Sequence, residues 1–173
     1  VVTEYESVKS RSDSYQSEAE LEKEFIRLLC EQGYTYLPIH TEKDLIANLR
    51  ERLEELNNYK FSDSEWDRFF NEAIANPNDK IEDKTRKIQE DFVQVLKRDD
   101  ALTKNILLID KKNIHNNRLQ VINQYVIGIE QGAKHDNRYD VTILVNGLPL
   151  VHVELKRRGV AIREAFNQIN RYQ

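Results

Sequence analysis

The chain has 173 residues, 32% of them charged and 39% hydrophobic, with a net charge of −4. That length supports one sizeable core and at most a small second lobe, and the net charge gives no overall pull toward nucleic acid. One cysteine, Cys30, allows neither an internal disulfide nor a cysteine cluster for zinc, the apolar runs are too short to span a bilayer, and the polar start VVTEYESVKSRSDS has no signal core, so a cytoplasmic protein without a membrane partner is expected.

Residues 1–16 read as a loosely docked arm. From Ser17 the pattern turns helical: Leu21, Phe25, Leu28 and Leu29 fall at helical spacing, Ser17 and Glu20 fit a capping box, Gly33 is a stop, and Cys30 reads as a small core residue. A short extended piece, broken by Pro38, follows at 34–39. A second helix is expected over 41–56, capped by Thr41, with Leu45, Ile46, Leu49, Leu53 and Leu56 as its stripe. A third is expected over 62–75, capped by Ser62 with Glu65 three residues on; its Trp66, Phe69 and Phe70 read as packing residues rather than base-stacking ones. Asn76-Pro77-Asn78 ends it. A charged helix is expected over 81–97, a short strand over 106–109 and a polar turn over 111–118.

A β pattern then takes over. Residues 119–129 are a strand candidate with a possible break at Gly128, and 131–137 a polar loop containing His135. Residues 139–145 and 148–155 read as a hairpin around Asn146-Gly147, a strong turn signal. Gly159 separates the hairpin from a final helix starting at Val160. The chain stops within that helix pattern, which leads us to expect a fragment of a longer polypeptide, cut before a further strand. Charge is uneven: residues 138–173 carry +3, so the preceding 137 carry −7. A local basic surface suits a phosphate backbone, although a solvated helix and loop face gives the same count.

Asp140 opens the first hairpin strand, and Glu154 and Lys156 share one face of the second. A two-residue turn pairs Val145 with Leu148, sets Asp140 against Val153 and sends Glu154 to the opposite side. A three-residue loop sets Asp140 against His152 and puts Asp140, Glu154 and Lys156 on one face. Chemistry requires that longer loop, a bulge, or a bend at Asp140. With one of these, Asp140, Glu154 and the Leu155 backbone carbonyl can ligate Mg2+, and Lys156 can orient a metal-bound water or neutralise growing charge. His152 alternates with Glu154 and reads as a structural histidine near the site.

The run NRYDVTILVNGLPLVHVELKRRGVAIREAFNQINRY, with SYQSEAELEKEFIRLLCEQGY before it and DKTRKI and NILLIDKKN between, resembles the PD-(D/E)XK nuclease superfamily. It looks closest to the RecB-like N-terminal nuclease region of the restriction (motor) subunit of type I restriction enzymes. The resemblance implies an α/β, restriction-endonuclease-like α-β-β-β-α core at 17–40 and 118–173, with a large helical insertion at about 41–117. It implies Mg2+-dependent endonucleolytic cleavage of double-stranded DNA. Asp140, Glu154 and Lys156 match its D…ExK motif, Gln168 and Tyr172 its QxxxY motif, and Glu22 the acid of the first core helix, with Glu20 and Glu24 as competitors. Tyr139 stands where the family name has proline. Arg157, Arg158 and Arg163 are expected to touch DNA phosphates. The chain has no Gly-rich phosphate loop, so ATP is expected to serve a motor region C-terminal to it. Methyltransferase and specificity subunits are the implied partners. The alternative is a nuclease-fold module for DNA docking or assembly with little cleavage of its own.

Overall fold

A computed structural model describes residues 17–127 and 137–156, together with residues 163 and 167. Helix α1 spans Glu18–Glu31 and begins with the expected capping box: Ser17 Oγ accepts from the Glu20 N–H, and the Glu20 carboxylate accepts from the Ser17 N–H. The two-residue strand β1 (Thr35–Tyr36) follows. Helix α2 (Glu42–Asn57) is capped by Thr41, and α3 (Asp63–Phe69) by the Ser62/Glu65 box. One π-helical turn, Phe70–Ile74, continues α3. Helix α4 covers Ile81–Gln89. Strands β2 (Val93–Lys97) and β3 (Thr103–Leu107) form a separate antiparallel pair. After a 3-10 turn at Ile114–Asn116 come β4 (Leu119–Ile127), β5 (Asn137–Val145) and β6 (Leu148–Val153).

The main sheet has the order β1-β4-β5-β6, with β1 parallel to β4 and the rest antiparallel. It is a small mixed sheet, and its two faces bury different partners. On one face Leu29, Phe25 and Ile26 of α1 pack on Val121, Val141, Ile143, Val153 and Leu155. On the other, Leu45 of α2 and Ile39 pack on Ile122, Tyr125 and Leu144. Burial of such alternating aliphatic residues, at about 25 cal/mol per Å² of apolar surface, is what drives sheet and helix together.

Helix α2 also joins a second core. Its Leu49 and Leu53 pack with Phe61, Trp66, Phe69, Ala73, Leu96, Ile106, Leu108 and Leu148. Trp66, Phe69 and Phe70 are packing residues there: Phe61 meets Trp66 edge-on at 5.4 Å and stacks on Phe69 at 5.6 Å.

Three expectations need correction. The segment 81–97 is not one helix: α4 ends at Gln89 and the chain resumes as β2. The apolar residues there fit both periods, but Leu96 is buried while Val95 is exposed, the alternation of a strand. The segment 41–117 is therefore mixed rather than purely helical. Cys30 is exposed, and so is Leu28; Leu29, with Phe25 and Ile26, carries the buried stripe of α1, leaving its neighbours on the outer side. Among the described residues, no helix is long and apolar enough to cross a membrane.

Candidate active site

The β5–β6 hairpin combines a two-residue turn with a bulge. Asn146 and Gly147 both have positive φ, 51° and 82°, the conformation that an Asn-Gly pair adopts at least cost. Val145 pairs with Leu148 and Leu144 with Pro149, but Ile143 pairs with Val151, leaving Leu150 as the extra residue. The bulge advances the register by one, so Val141 pairs with Val153 and Thr142 with His152. Asp140 and Glu154 are the next residues out, on the face shared by Thr142 and His152. The structure thus supplies the bulge the chemistry required. It also corrects the partner of His152, which is Thr142 rather than Asp140; Thr142 Oγ1 lies 2.9 Å from His152 Nδ1.

The site residues lie close together. Lys156 Nζ donates to Glu154 Oε1 at 2.5 Å, and Asp140 Oδ2 accepts from the Leu155 N–H at 2.8 Å. The Glu154 side chain is only 4% exposed and that of Lys156 21%. Glu154 Oε2 is buried and has no hydrogen-bond donor. Burial pushes the Glu154 carboxyl above its ordinary range; Lys156 pulls it back, while the charge of the neighbouring Asp140 pushes it up again. Lys156 is raised: burial lowers it, but Glu154, Glu18 and Asp140 more than compensate. Burial lowers His152, which favours the neutral ring. A buried carboxylate oxygen lacking a donor, beside a second carboxylate, is a place for a proton or a cation. Among the described residues, no group of three or more His, Cys, Asp and Glu side chains gathers as a metal site.

Glu22 takes a different place. Its Oε1 accepts from Asn123 Nδ2 at 2.5 Å and its Oε2 from Gln124 Nε2. Glu20 is used in the cap of α1, and Glu24 pairs with Arg27 at the surface. The α1 acid whose charge reaches Lys156 is Glu18, one turn before Glu22 on the same side of the helix. The sequence reading missed Glu18 and the Asn123-Gln124 pair. Asn123 inside the strand LQVINQYVI was the available signal, since asparagine is depleted in strands. Arg163 is helical and exposed. Gln168, Tyr172, Arg157, Arg158 and His135 lie outside the described residues.

Comparison with known proteins places the chain in a family. Residues 15–173 match the family model described as type I restriction enzyme R protein N terminus. The chain is 54% identical over 162 residues to the endonuclease subunit of the type I restriction enzyme EcoprrI of Escherichia coli, covering 93% of this chain and 50% of that protein. It is 39% identical over 160 residues to a type I restriction enzyme endonuclease subunit of Staphylococcus saprophyticus, and 40% identical over 161 residues to one of Staphylococcus aureus. Each of these alignments covers 92% of this chain and 17% of the relative. The chain therefore spans half the length of one curated relative and about a sixth of the others, and its match to the family model takes in nearly all of it. It belongs to the type I restriction enzyme R protein N-terminus family.

Proposed function

We propose that this chain is the nuclease module of a type I restriction endonuclease subunit, with a PD-(D/E)XK core that hydrolyses phosphodiesters of double-stranded DNA in the presence of Mg2+. The observation that carries this reading is the buried, donor-less oxygen of Glu154 beside Asp140, with Lys156 Nζ 2.5 Å from the other Glu154 oxygen. The fit to a hard cation is good: two carboxylates adjoin, and hard divalent cations prefer such oxygen ligands. Asp140, Glu154 and the Leu155 carbonyl would hold Mg2+, which when bound would supply Lewis-acid activation and a more acidic water.

The chain's own residues do the rest. The Leu155 N–H fixes the Asp140 carboxylate, so one oxygen is oriented before any ligand arrives. Glu154 anchors the Lys156 ammonium beside the two carboxylates. Lys156 keeps its proton over the physiological range and provides a compact positive charge beside a phosphate whose charge grows during attack. By the resemblance, Gln168 and Tyr172 would complete the proposed set, and Arg157, Arg158 and Arg163 would meet the DNA backbone. The larger protein would join methyltransferase and specificity subunits in the cytoplasm and use ATP in a separate motor region.

The test uses the full-length subunit in its complex. Glu154→Ala and Lys156→Ala should lower plasmid cleavage at least ~100-fold and leave ATP hydrolysis near the parent level. Calorimetry with Mg2+ should lose its binding signal in Glu154→Ala and retain it in Lys156→Ala. Normal cleavage by Glu154→Ala would reject the assignment.

A further inference from the structure

Strand β4 breaks its alternation at one residue, and that residue lies across the ladder from Asp140. Asn123 pairs with Val141 and Tyr125 with Tyr139, but Gln124 and Asp140 between them do not pair. Gln124 has φ 53°, a left-handed conformation that a side chain with a Cβ avoids. Its effect is visible on both faces. Ile122 and Tyr125 belong on opposite faces of a regular strand, yet both pack with Leu144. Asn123 and Gln124, adjacent in sequence, also belong on opposite faces, yet both donate to Glu22 on α1. Tyr36 Oη extends this network, donating to Asn123 Oδ1 at 2.9 Å.

In a regular strand the residue opposite Asp140 would share its face. Gln124 would then project beside the Asp140 carboxylate, with an amide N–H₂ suited to donating to it. The left-handed turn carries the Gln124 side chain to the α1 face instead, where an acid receives it. We propose that Glu22 is a positioning residue that acts through Gln124: by holding that amide on the α1 side, it keeps the Asp140 carboxylate open to a divalent cation. Both Glu22 oxygens are taken by amides, which fits a latch better than a ligand. A charge-assisted hydrogen bond is strong enough to maintain a backbone conformation that the chain alone disfavours.

This inference rests on the reading of Asp140 and Glu154 as a cation site, and the experiment separates the two. The full-length subunit in its complex is assayed for plasmid nicking across a Mg2+ titration. Glu22→Ala should raise the Mg2+ concentration for half-maximal nicking by roughly ten- to a hundredfold. Adding Gln124→Gly to Glu22→Ala should bring that concentration back to within a few-fold of the parent, because glycine adopts the left-handed conformation freely and carries no amide. Glu22→Gln, which keeps an acceptor for one amide, should fall between parent and Glu22→Ala, and it covers the case in which Glu22→Ala does not fold. A direct ligand would not be rescued by glycine at position 124, so a double variant as impaired as Glu22→Ala overturns the latch; a carboxylate that only stabilised the fold would show its loss in melting temperature and leave the Mg2+ concentration for half-maximal nicking unchanged. Asp140→Asn is run alongside: if it nicks normally, the cation site itself is misplaced, whereas an inactive Asp140→Asn with no glycine rescue rejects the latch alone.

Discussion

At the residue scale, Glu154 governs how the site responds to pH. Its carboxyl is held above the ordinary value of 4.5, chiefly by burial. The folded protein therefore binds that proton more tightly than the unfolded chain does. The resulting stabilisation is complete below pH 4.5 and is lost as pH rises through the raised folded value. Above that value the charges of Asp140 and Glu154 repel each other, a strain that the proposed cation would relieve. Mg2+ should accordingly raise the melting temperature more at neutral pH than in mild acid, and Glu154→Gln should remove most of that difference. Thermal denaturation of this chain across pH, with and without Mg2+, measures it; a Mg2+ effect independent of pH would contradict the account. Lys156 limits the strain without abolishing it, since its ammonium reaches only one Glu154 oxygen in the structure.

At the element scale, the Asn146-Gly147 turn both aims the site and joins the two cores. Asn146 is fully buried. Its side chain donates to the Leu108 carbonyl and Asn117 Oδ1 and accepts from the Arg118 N–H, tying the hairpin to the segment before β4. A Cβ on Gly147 would sit 2.6 Å from Leu49 Cα of α2, at a φ of 82°. Gly147→Ala should therefore cost at least ~1–3 kcal/mol, through both strain and collision. Asn146→Ala should cost about 2–4 kcal/mol by leaving buried backbone groups unpaired. Denaturant unfolding of the two variants checks both, and losses under 0.5 kcal/mol (roughly the spread of neutral surface changes) would show that the turn is not the junction described. Much of this was legible in the sequence because it depends on local signals: the caps at Ser17, Thr41 and Ser62, and the Asn-Gly turn. The register was not. Pro149 in LPLVHV is compatible with an edge strand or with a bulge, so it does not by itself fix the register at Leu150. The α4–β2 boundary failed for a related reason: Ile88, Phe92, Val95 and Leu96 fit a helical stripe until tertiary pairing with β3 claims Val93–Lys97 as a strand. The face taken by Gln124 was equally hidden, because its cause, Glu22, lies 102 residues away in sequence.

At the scale of the whole molecule, charge separates the two functions this fold could serve. Residues before 138 carry −7 and those from 138 onward +3, so under the proposed function attraction for DNA would be concentrated in the segment that bears the carboxylates. A docking module needs only the positive charge, whereas a nuclease also needs the cation. Asp140→Asn removes a ligand charge and makes that face less negative. Cleavage by the full complex should fall by orders of magnitude, while DNA affinity measured without metal holds or rises. Replacing Arg157, Arg158 and Arg163 together should act the other way on binding. Each arginine that no longer neutralises a phosphate flattens the dependence of log affinity on log salt by about 0.9, so the triple replacement should reduce the slope by nearly three. Fluorescence anisotropy over a salt series gives the slope, and plasmid nicking in parallel gives the chemistry. Asp140→Asn that binds less tightly and still cuts would point to a docking surface at this hairpin, with the hydrolytic centre elsewhere in the larger protein. Retained binding with cleavage abolished is the outcome that the pairing of Asp140 with the buried Glu154 leads us to expect.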